Sequence, residues 1–376
     1  MSRTPMRIAF ITNDLEIGGA QQFLVSLIRA LDRGRFAPHL ATLSGQGVWV
    51  EAVRELGVEY FHAPAVRRAG SLRVIDPRAL WALTRQLRDW RVDVVHTQLF
   101  LGNTLGRLAA LGAGVPRWVA TEHSTYFDHT RLQWWIDRRL ARRTNRIVAV
   151  AEPVARHLVA GGIPAERIAV VPNGIALERF EKLPSRERAR SDLGLHPDDF
   201  VLGSVARLTG EKSLEAILDL MPHLRARVPK VQLLIVGDGP QRRALVRRAT
   251  EHGLESSVRL LGERSDVERI LPALDLFVFP SRREGLPTAL LEAMAAGVTP
   301  VVQDLPYARV VVEDGVDGCH IDFTDVPAAV DALTALARHP ERRAALGAGA
   351  KRKAEQFSIR RTAEALSAIY LGKAPR

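Results

Sequence analysis

Cysteine is almost missing from this 376-residue chain: Cys319 stands alone, which excludes an internal disulfide and a thiolate metal cluster. No apolar run approaches the length of a membrane span. The opening Met1-Ser2-Arg3-Thr4-Pro5-Met6 leads straight into a strand-like segment without a signal-peptide core, so the expected location is cytoplasmic. Zinc-finger spacing, an RNA-recognition aromatic signature, a polybasic tail, internal repeats and low-complexity segments are all lacking. The formal charge of +11 therefore argues only weakly for nucleic acid, and no nucleic-acid partner is expected. Anionic lipid or a generally arginine-rich composition remain as explanations of that charge. Nothing in the sequence sets an oligomeric state.

What is present is alternation. The length exceeds one ordinary core, so two domains are expected. Met6–Thr12 reads as a first strand, and a helix starts near Ala20 with Phe23, Leu24, Leu27, Ile28 and Leu31 as its buried stripe. Strand and helix then alternate to Val171, the pattern of a doubly wound parallel sheet. Val171-Pro172-Asn173-Gly174 is a strong turn signal. Beyond it, the polar stretch 178–199 reads as a linker with a short surface helix. A second alternating series follows, with apolar strands at Phe200–Arg207, Val231–Val236, Val258–Gly262, Leu274–Pro280 and Val298–Val302.

The stretch Ser281-Arg282-Arg283-Glu284-Gly285-Leu286-Pro287-Thr288 joins the buried strand Leu274–Pro280 to a short helix ending at Gly297. Gly285 permits a tight turn, and the fixed φ of Pro287 suits a helix start. Glu284 therefore lies in the loop and Glu292 about one turn into the helix. Both fall at the carboxyl end of a parallel strand, where open α/β sheets bind ligands. Two acids at this spacing also occur as plain surface residues, and it is the surrounding residues that favour a site.

This stretch resembles the E-x7-E motif of the family 4 retaining glycosyltransferases of GT-B fold, the glycosyl transferases group 1. The resemblance spans nearly the whole chain and is strongest in Arg207–Lys212 and Ser281–Gly297. It implies two Rossmann-like domains facing an interdomain cleft: an acceptor-side domain over 1–177, a nucleotide-sugar domain over 178–358, and a C-terminal helix in 359–376 crossing back to the first. It also implies an enzyme that moves a hexosyl group from a nucleotide diphosphate sugar, UDP- or GDP-linked, to a hydroxyl of a glycan or lipid-linked acceptor of the cell envelope or an exopolysaccharide. No cofactor is implied.

By the same resemblance, Glu284 contacts the donor sugar and Glu292 the ribose hydroxyls, roles that suit an acceptor-only carboxylate. Arg207 and Lys212 stand at the diphosphate-binding positions, where two cations would stabilise a departing phosphate. His123, just past the strand Val119–Glu122, matches a histidine that faces the donor sugar. Gly18 and Gly19, ahead of the first helix, border the donor phosphates, where paired glycines let backbone N–H groups approach an anion. Gly237 and Gly239 let backbone approach the nucleotide, Glu263 and Arg264 lie beside the base, and Gly285, Leu286, Pro287 and Thr288 complete the donor loop. The chain contains no D-x-D, the acidic spacing of metal-assisted transfer, so no metal requirement is expected.

The departures are as specific. Ala176 follows Pro172-Asn173-Gly174-Ile175 where the family commonly has aspartate, Ser213 replaces a glycine, and 303–310 lacks the usual glycines, with Val310 at a common glutamate position. That last segment keeps open a catalytically inactive relative that binds a nucleotide or glycan. A nicotinamide dehydrogenase is disfavoured by the missing G-x-G-x-x-G. Finally, in 131–146, Leu132, Ile136 and Leu140 recur every four residues and are expected to pack inward. That leaves Trp134 and Trp135 beside Arg138, Arg139 and Arg142, a combination suited to an anionic lipid surface, with Arg67, Arg68 and Arg73 as support. The alternative is a helix that packs both indoles into the core.

Overall fold

The computed structural model describes residues 4–69, 72–124 and 129–374. The chain divides into two compact units: Met1–Gly174 with Ile359–Arg376, and Ile175–Ser358. Each is built on one parallel sheet.

In the first unit the strands are β1 Met6–Thr12, β2 Phe36–Thr42, β3 Glu59–His62, the hairpin β4 Val66–Ala69 and β5 Leu72–Ile75, then β6 Val94–Gln98, β7 Arg117–Glu122, β8 Arg146–Ala149 and β9 Ile168–Val170. The seven-stranded sheet has the order β3-β2-β1-β6-β7-β8-β9, every pair parallel. Its central strands bury both faces: Ile8, Ala9, Phe10 and Ile11 are fully buried, as a sheet covered by helices requires. The second unit repeats the plan with β10 Phe200–Val205, β11 Val231–Val236, β12 Val258–Gly262, β13 Leu276–Phe279, β14 Thr299–Gln303 and β15 Cys319–Ile321, in the order β12-β11-β10-β13-β14-β15. In each sheet the strand order reverses once, between β1 and β6 and between β10 and β13. Such a reversal, at the carboxyl ends of the strands, is where open α/β sheets bind ligands.

The last helix, Ile359–Tyr370, belongs to the first unit. Ile359, Thr362, Ala363, Leu366, Ile369 and Tyr370 form its buried stripe at helical spacing. Tyr370 is completely buried, edge-on to Phe10 and Phe36. Its hydroxyl is 2.6 Å from His96 Nδ1, and His96 Nε2 is 2.7 Å from the Thr121 hydroxyl. Hydroxyls donate or accept as needed, so a neutral imidazole is satisfied at both ends. Burial, with a smaller contribution from His123, lowers the His96 pKa to about 3.

The stretch 178–199 is more than a surface linker. Its helix Arg186–Asp192 sends Arg190, 2% exposed, onto the buried Asp275 carboxylate at 2.8 Å. Arg186 and Arg343 join the same carboxylate, and the Val201 N–H donates to it at 2.8 Å. A buried acid at the head of β13 draws the connecting segment against the sheet, because a desolvated charge must be paired.

His96 makes acid stability testable. Below about pH 6.5 the unfolded chain takes up a proton that the folded histidine refuses, so this residue makes stability rise with pH between about 3 and 6.5. Denaturant titrations of His96→Gln should show an acid-side slope shallower by about 1.4 kcal/mol per pH unit near pH 5; an unchanged slope would mean that the buried imidazole is not neutral.

Candidate active site

In the second unit the reversal point between β10 and β13 gathers the expected residues. The loop after β10 carries Arg207, exposed, and Lys212, largely covered; the loop after β13 carries Glu284, 8% exposed. Lys212 Nζ donates to Glu284 Oε1 at 2.5 Å. Backbone ties hold the loops in register: the Arg282 N–H donates to the Glu211 carbonyl at 2.9 Å, and the Ser281 hydroxyl donates to it at 3.3 Å. Ser213, behind Lys212, takes the left-handed conformation, φ 50° and ψ 35°, that a glycine would adopt without strain.

Gly237 and Gly239 support the Arg207 segment from below. Gly237 has φ 129°, and a Cβ there would lie 2.0 Å from the Ala206 carbonyl oxygen; at Gly239, φ 156°, it would lie 2.6 Å from that of Leu208. The chain's own backbone therefore demands both glycines, a constraint that the expectation of nucleotide approach did not include.

The loop Ser281–Pro287 runs through the buried Gly285, Leu286 and Pro287 into the helix Thr288–Ala295, where Glu292 is 4% exposed. Arg179 donates to Glu292 Oε1 at 3.1 Å and to Glu268 Oε2 at 2.5 Å. Glu263 is exposed, and Arg264 is held by both oxygens of Asp266 at 2.8 and 2.7 Å.

The divergent segment 303–310 is a structural support. Pro306–Val311 is helical, and Tyr307, 5% exposed, packs edge-on to Phe279 and donates its hydroxyl to the Ser281 carbonyl at 2.6 Å. Burial, then the nearby Glu284 charge, pushes the Tyr307 phenol far above its ordinary range, which keeps it a donor. Bulk in place of small residues thus props the loop bearing Glu284.

In the first unit, Gly18 and Gly19 open the helix Gly19–Ala30, one residue earlier than expected. Phe23, one turn in, lies edge-on to His123, ring centroids 5.7 Å apart, so the glycine turn and the histidine are neighbours. His123 Nε2 is 2.9 Å from Gln98 Oε1, and its Nδ1 is 3.1 Å from Asn173 Nδ2. With the amides oriented this way, an accepting Gln98 oxygen and a donating Asn173 nitrogen suit a neutral ring protonated on Nε2. Burial lowers the His123 pKa to about 4, making it a neutral hydrogen-bonding group at pH 7.

Beneath it, burial and Asp137 raise Glu122 to about pKa 7, while Asn103 Nδ2 donates to its carboxyl at 2.6 Å. Arg107 and His129 hold Asp137 at 2.6 and 3.2 Å, anchoring the helix Arg131–Ala141.

That helix corrects one expectation. Trp134 turns inward, against His129 and His157 and onto Gly161, whereas Leu132, expected to be buried, is 65% exposed. The outward face carries Leu132, Trp135, 53% exposed, and Arg139 stacked over the Trp135 ring, with Arg131 and Arg142 also exposed. Arg138 donates to the Gly161 carbonyl instead of standing free. The side chains of Arg67, Arg68 and Arg73 lie outside the described residues.

Sequence reasoning missed Gln98, Arg179, Glu268 and the role of Asn173. Asn173 carried a signal, the Asn-Gly turn, but not its partner. The others had none, since pairing across 25 or 113 positions leaves no local pattern.

Comparison with known proteins finds a family match in each unit. The profile described as Glycosyl transferases group 1 matches residues 185–353, and that described as Glycosyltransferase Family 4 matches residues 17–179. The chain is 31% identical over 290 residues to a UDP-Gal:alpha-D-GlcNAc-diphosphoundecaprenol alpha-1,3-galactosyltransferase of Escherichia coli, covering 73% of this chain and 74% of that protein. It is 29% identical over 364 residues to a GDP-mannose-dependent alpha-(1-6)-phosphatidylinositol monomannoside mannosyltransferase of Mycolicibacterium smegmatis, covering 90% and 91%. Among solved structures, Anabaena Alr3699/HepE in complex with UDP superposes with a TM-score of 0.84 at 20% identity, over 98% of this chain and all of that one. With its two parallel sheets of GT-B type, the chain belongs to the family 4, group 1 glycosyltransferases and is a transferase of that class.

Proposed function

We propose that this chain moves a hexosyl group from a nucleotide diphosphate sugar to a hydroxyl of a glycan or lipid-linked acceptor, with retention at the anomeric carbon and without a divalent metal. The observation that carries the reading is the meeting of Lys212 with Glu284 in the loops that follow the neighbouring strands β10 and β13, with Arg207 on the same loop as Lys212 and Glu292 on the following helix. The second unit would hold the donor and the first the acceptor. Both UDP and GDP stay in play, since the relatives' names span the two.

In this reading the bond from the anomeric carbon to the phosphate oxygen breaks, and the acceptor oxygen bonds to the same face. The departing phosphate takes the acceptor's proton. Arg207 and Lys212 would stabilise the charge growing on that phosphate, and Glu284 would support positive charge on the sugar. Lys212 is paired with Glu284 as the chain stands, so a diphosphate would compete for its ammonium. His123, neutral, would orient a sugar hydroxyl rather than act as a cation. Retention rests on the family resemblance; metal independence rests on the two cations and the missing D-x-D.

The membrane reading narrows to Leu132, Trp135 and Arg139, an exposed apolar and basic face suited to anionic headgroups. No helix among the described residues is long and apolar enough to cross a membrane. A peripheral position on the inner face of the cell membrane is the location proposed.

Glu284→Ala and Lys212→Ala should each lower transfer by about a hundredfold or more with unchanged circular dichroism; near-normal turnover in both would remove the site assignment. Activity should survive EDTA, and a loss restored by Mg²⁺ or Mn²⁺ would overturn metal independence. In vesicle flotation, recovery with anionic lipid should exceed that with neutral lipid and fall in Trp135→Ala; equal recovery on both would end the lipid reading.

A further inference from the structure

Glu292 is held far from water, and a carboxylate so placed needs a cation or several donors to remain ionised. Arg179 supplies one from an unexpected direction. It stands in the single helical turn Leu177–Phe180, just after the second unit begins at Ile175, 113 residues before its partner. One arm of its guanidinium reaches Glu292 Oε1 at 3.1 Å; the other is anchored on Glu268 Oε2 at 2.5 Å. Glu268 lies in Val267–Ile270, the turn that follows Glu263 and Arg264. A guanidinium is planar, with its N–H groups in a fixed fork, so anchoring one arm sets the direction of the other.

The charges of this trio separate it from the Arg207 and Lys212 loop. One guanidinium between two carboxylates leaves a net charge of −1, which repels phosphate and suits a ligand that presents hydroxyl protons. A carboxylate offers about four acceptor positions, and one guanidinium N–H takes one of them. A vicinal diol needs a carboxylate whose plane is fixed, because two adjacent hydroxyls must find acceptors at once.

We propose that Arg179 is a positioning residue for the donor: it keeps the Glu292 carboxylate ionised and turned to accept hydrogen bonds from the 2′- and 3′-hydroxyls of the nucleotide's ribose. This rests on the reading of Glu292 as the ribose-binding acid. Arg179 thereby links the segment entering the second unit to the sugar of the nucleotide, while Arg207 and Lys212 address its phosphates.

The test is calorimetric titration of the full chain with UDP and 2′-deoxy-UDP, and in parallel with GDP and 2′-deoxy-GDP. The wild-type chain should prefer the ribonucleotide about tenfold, the loss expected for one hydrogen bond to a charged group. In Arg179→Met, which keeps the apolar stem, that preference should shrink to within about twofold while deoxynucleotide affinity stays near wild type. Arg179→Lys restores a cation without the fork and should recover part of it. Glu268→Gln, which releases only the anchored arm, guards against a Met variant that folds poorly and should also lower the preference.

Equal loss for both nucleotides in Arg179→Met, or a preserved preference in the folded variants, would overturn the proposal while leaving the donor site standing. A wild-type chain that binds both nucleotides equally would instead remove the ribose assignment of Glu292 and this proposal with it. No binding of either base would remove the broader donor reading.

Discussion

An ammonium and a carboxylate 2.5 Å apart, both largely withdrawn from water, are the contact on which the second unit's site depends. Leaving either alone would strand a charge in a poorly solvated place, so the loops that carry them must be brought together and kept there. The Glu211 carbonyl does this by receiving both the Ser281 hydroxyl and the Arg282 N–H, and Tyr307 fixes the Ser281 carbonyl from the other side. Below, Gly237 and Gly239 are glycines because the backbone of Ala206 and Leu208 fills the space where side chains would begin. The sheet's reversal supplies the position; these ties supply the geometry.

The first unit solves a different problem, keeping basic groups uncharged. His96 and His123 are both pulled well below their ordinary pKa by burial, and each is satisfied by partners that suit a neutral ring. Glu122, next to His123 in sequence, is shifted the opposite way, toward its protonated form. A polar layer of neutral imidazoles and a weakly acidic carboxyl therefore underlies the carboxyl edge of β6 and β7.

Much of this was legible in the sequence because parallel strands buried on both faces read as apolar runs, and because the acids and bases of the site lie in loops that directly follow such runs. Strand-end logic placed Glu284, Arg207, Lys212 and His123 at or just past strands and Glu292 on the helix that follows; their roles came from the family resemblance. The helix 131–141 was misread because a four-residue recurrence of Leu132, Ile136 and Leu140 describes a stripe but not which side faces the protein; Trp134, fitting over the small Gly161, decided the rotation. The segment 303–310 was read through the glycines it lacks, and the use of Tyr307 as a prop depends on a carbonyl 26 positions away. Arg179 and Gln98 were invisible for the same reason: an ion pair or an amide bridge between distant segments has no period. Ser213 shows in the sequence only as a replacement for a glycine, and the structure shows what it costs, a left-handed backbone imposed on a residue with a Cβ.

That backbone bears on how sharply the ammonium is aimed. A left-handed non-glycine residue is disfavoured by roughly 1–2 kcal/mol, yet its unfolded chain is also less free than one containing glycine. The serine hydroxyl reaches back toward the Gly210 carbonyl at 3.5 Å, closing a small ring around Lys212. A glycine would relax the turn and let the lysine sample more directions. The serine makes the turn stiffer, which narrows the directions open to the Lys212 ammonium before any partner arrives.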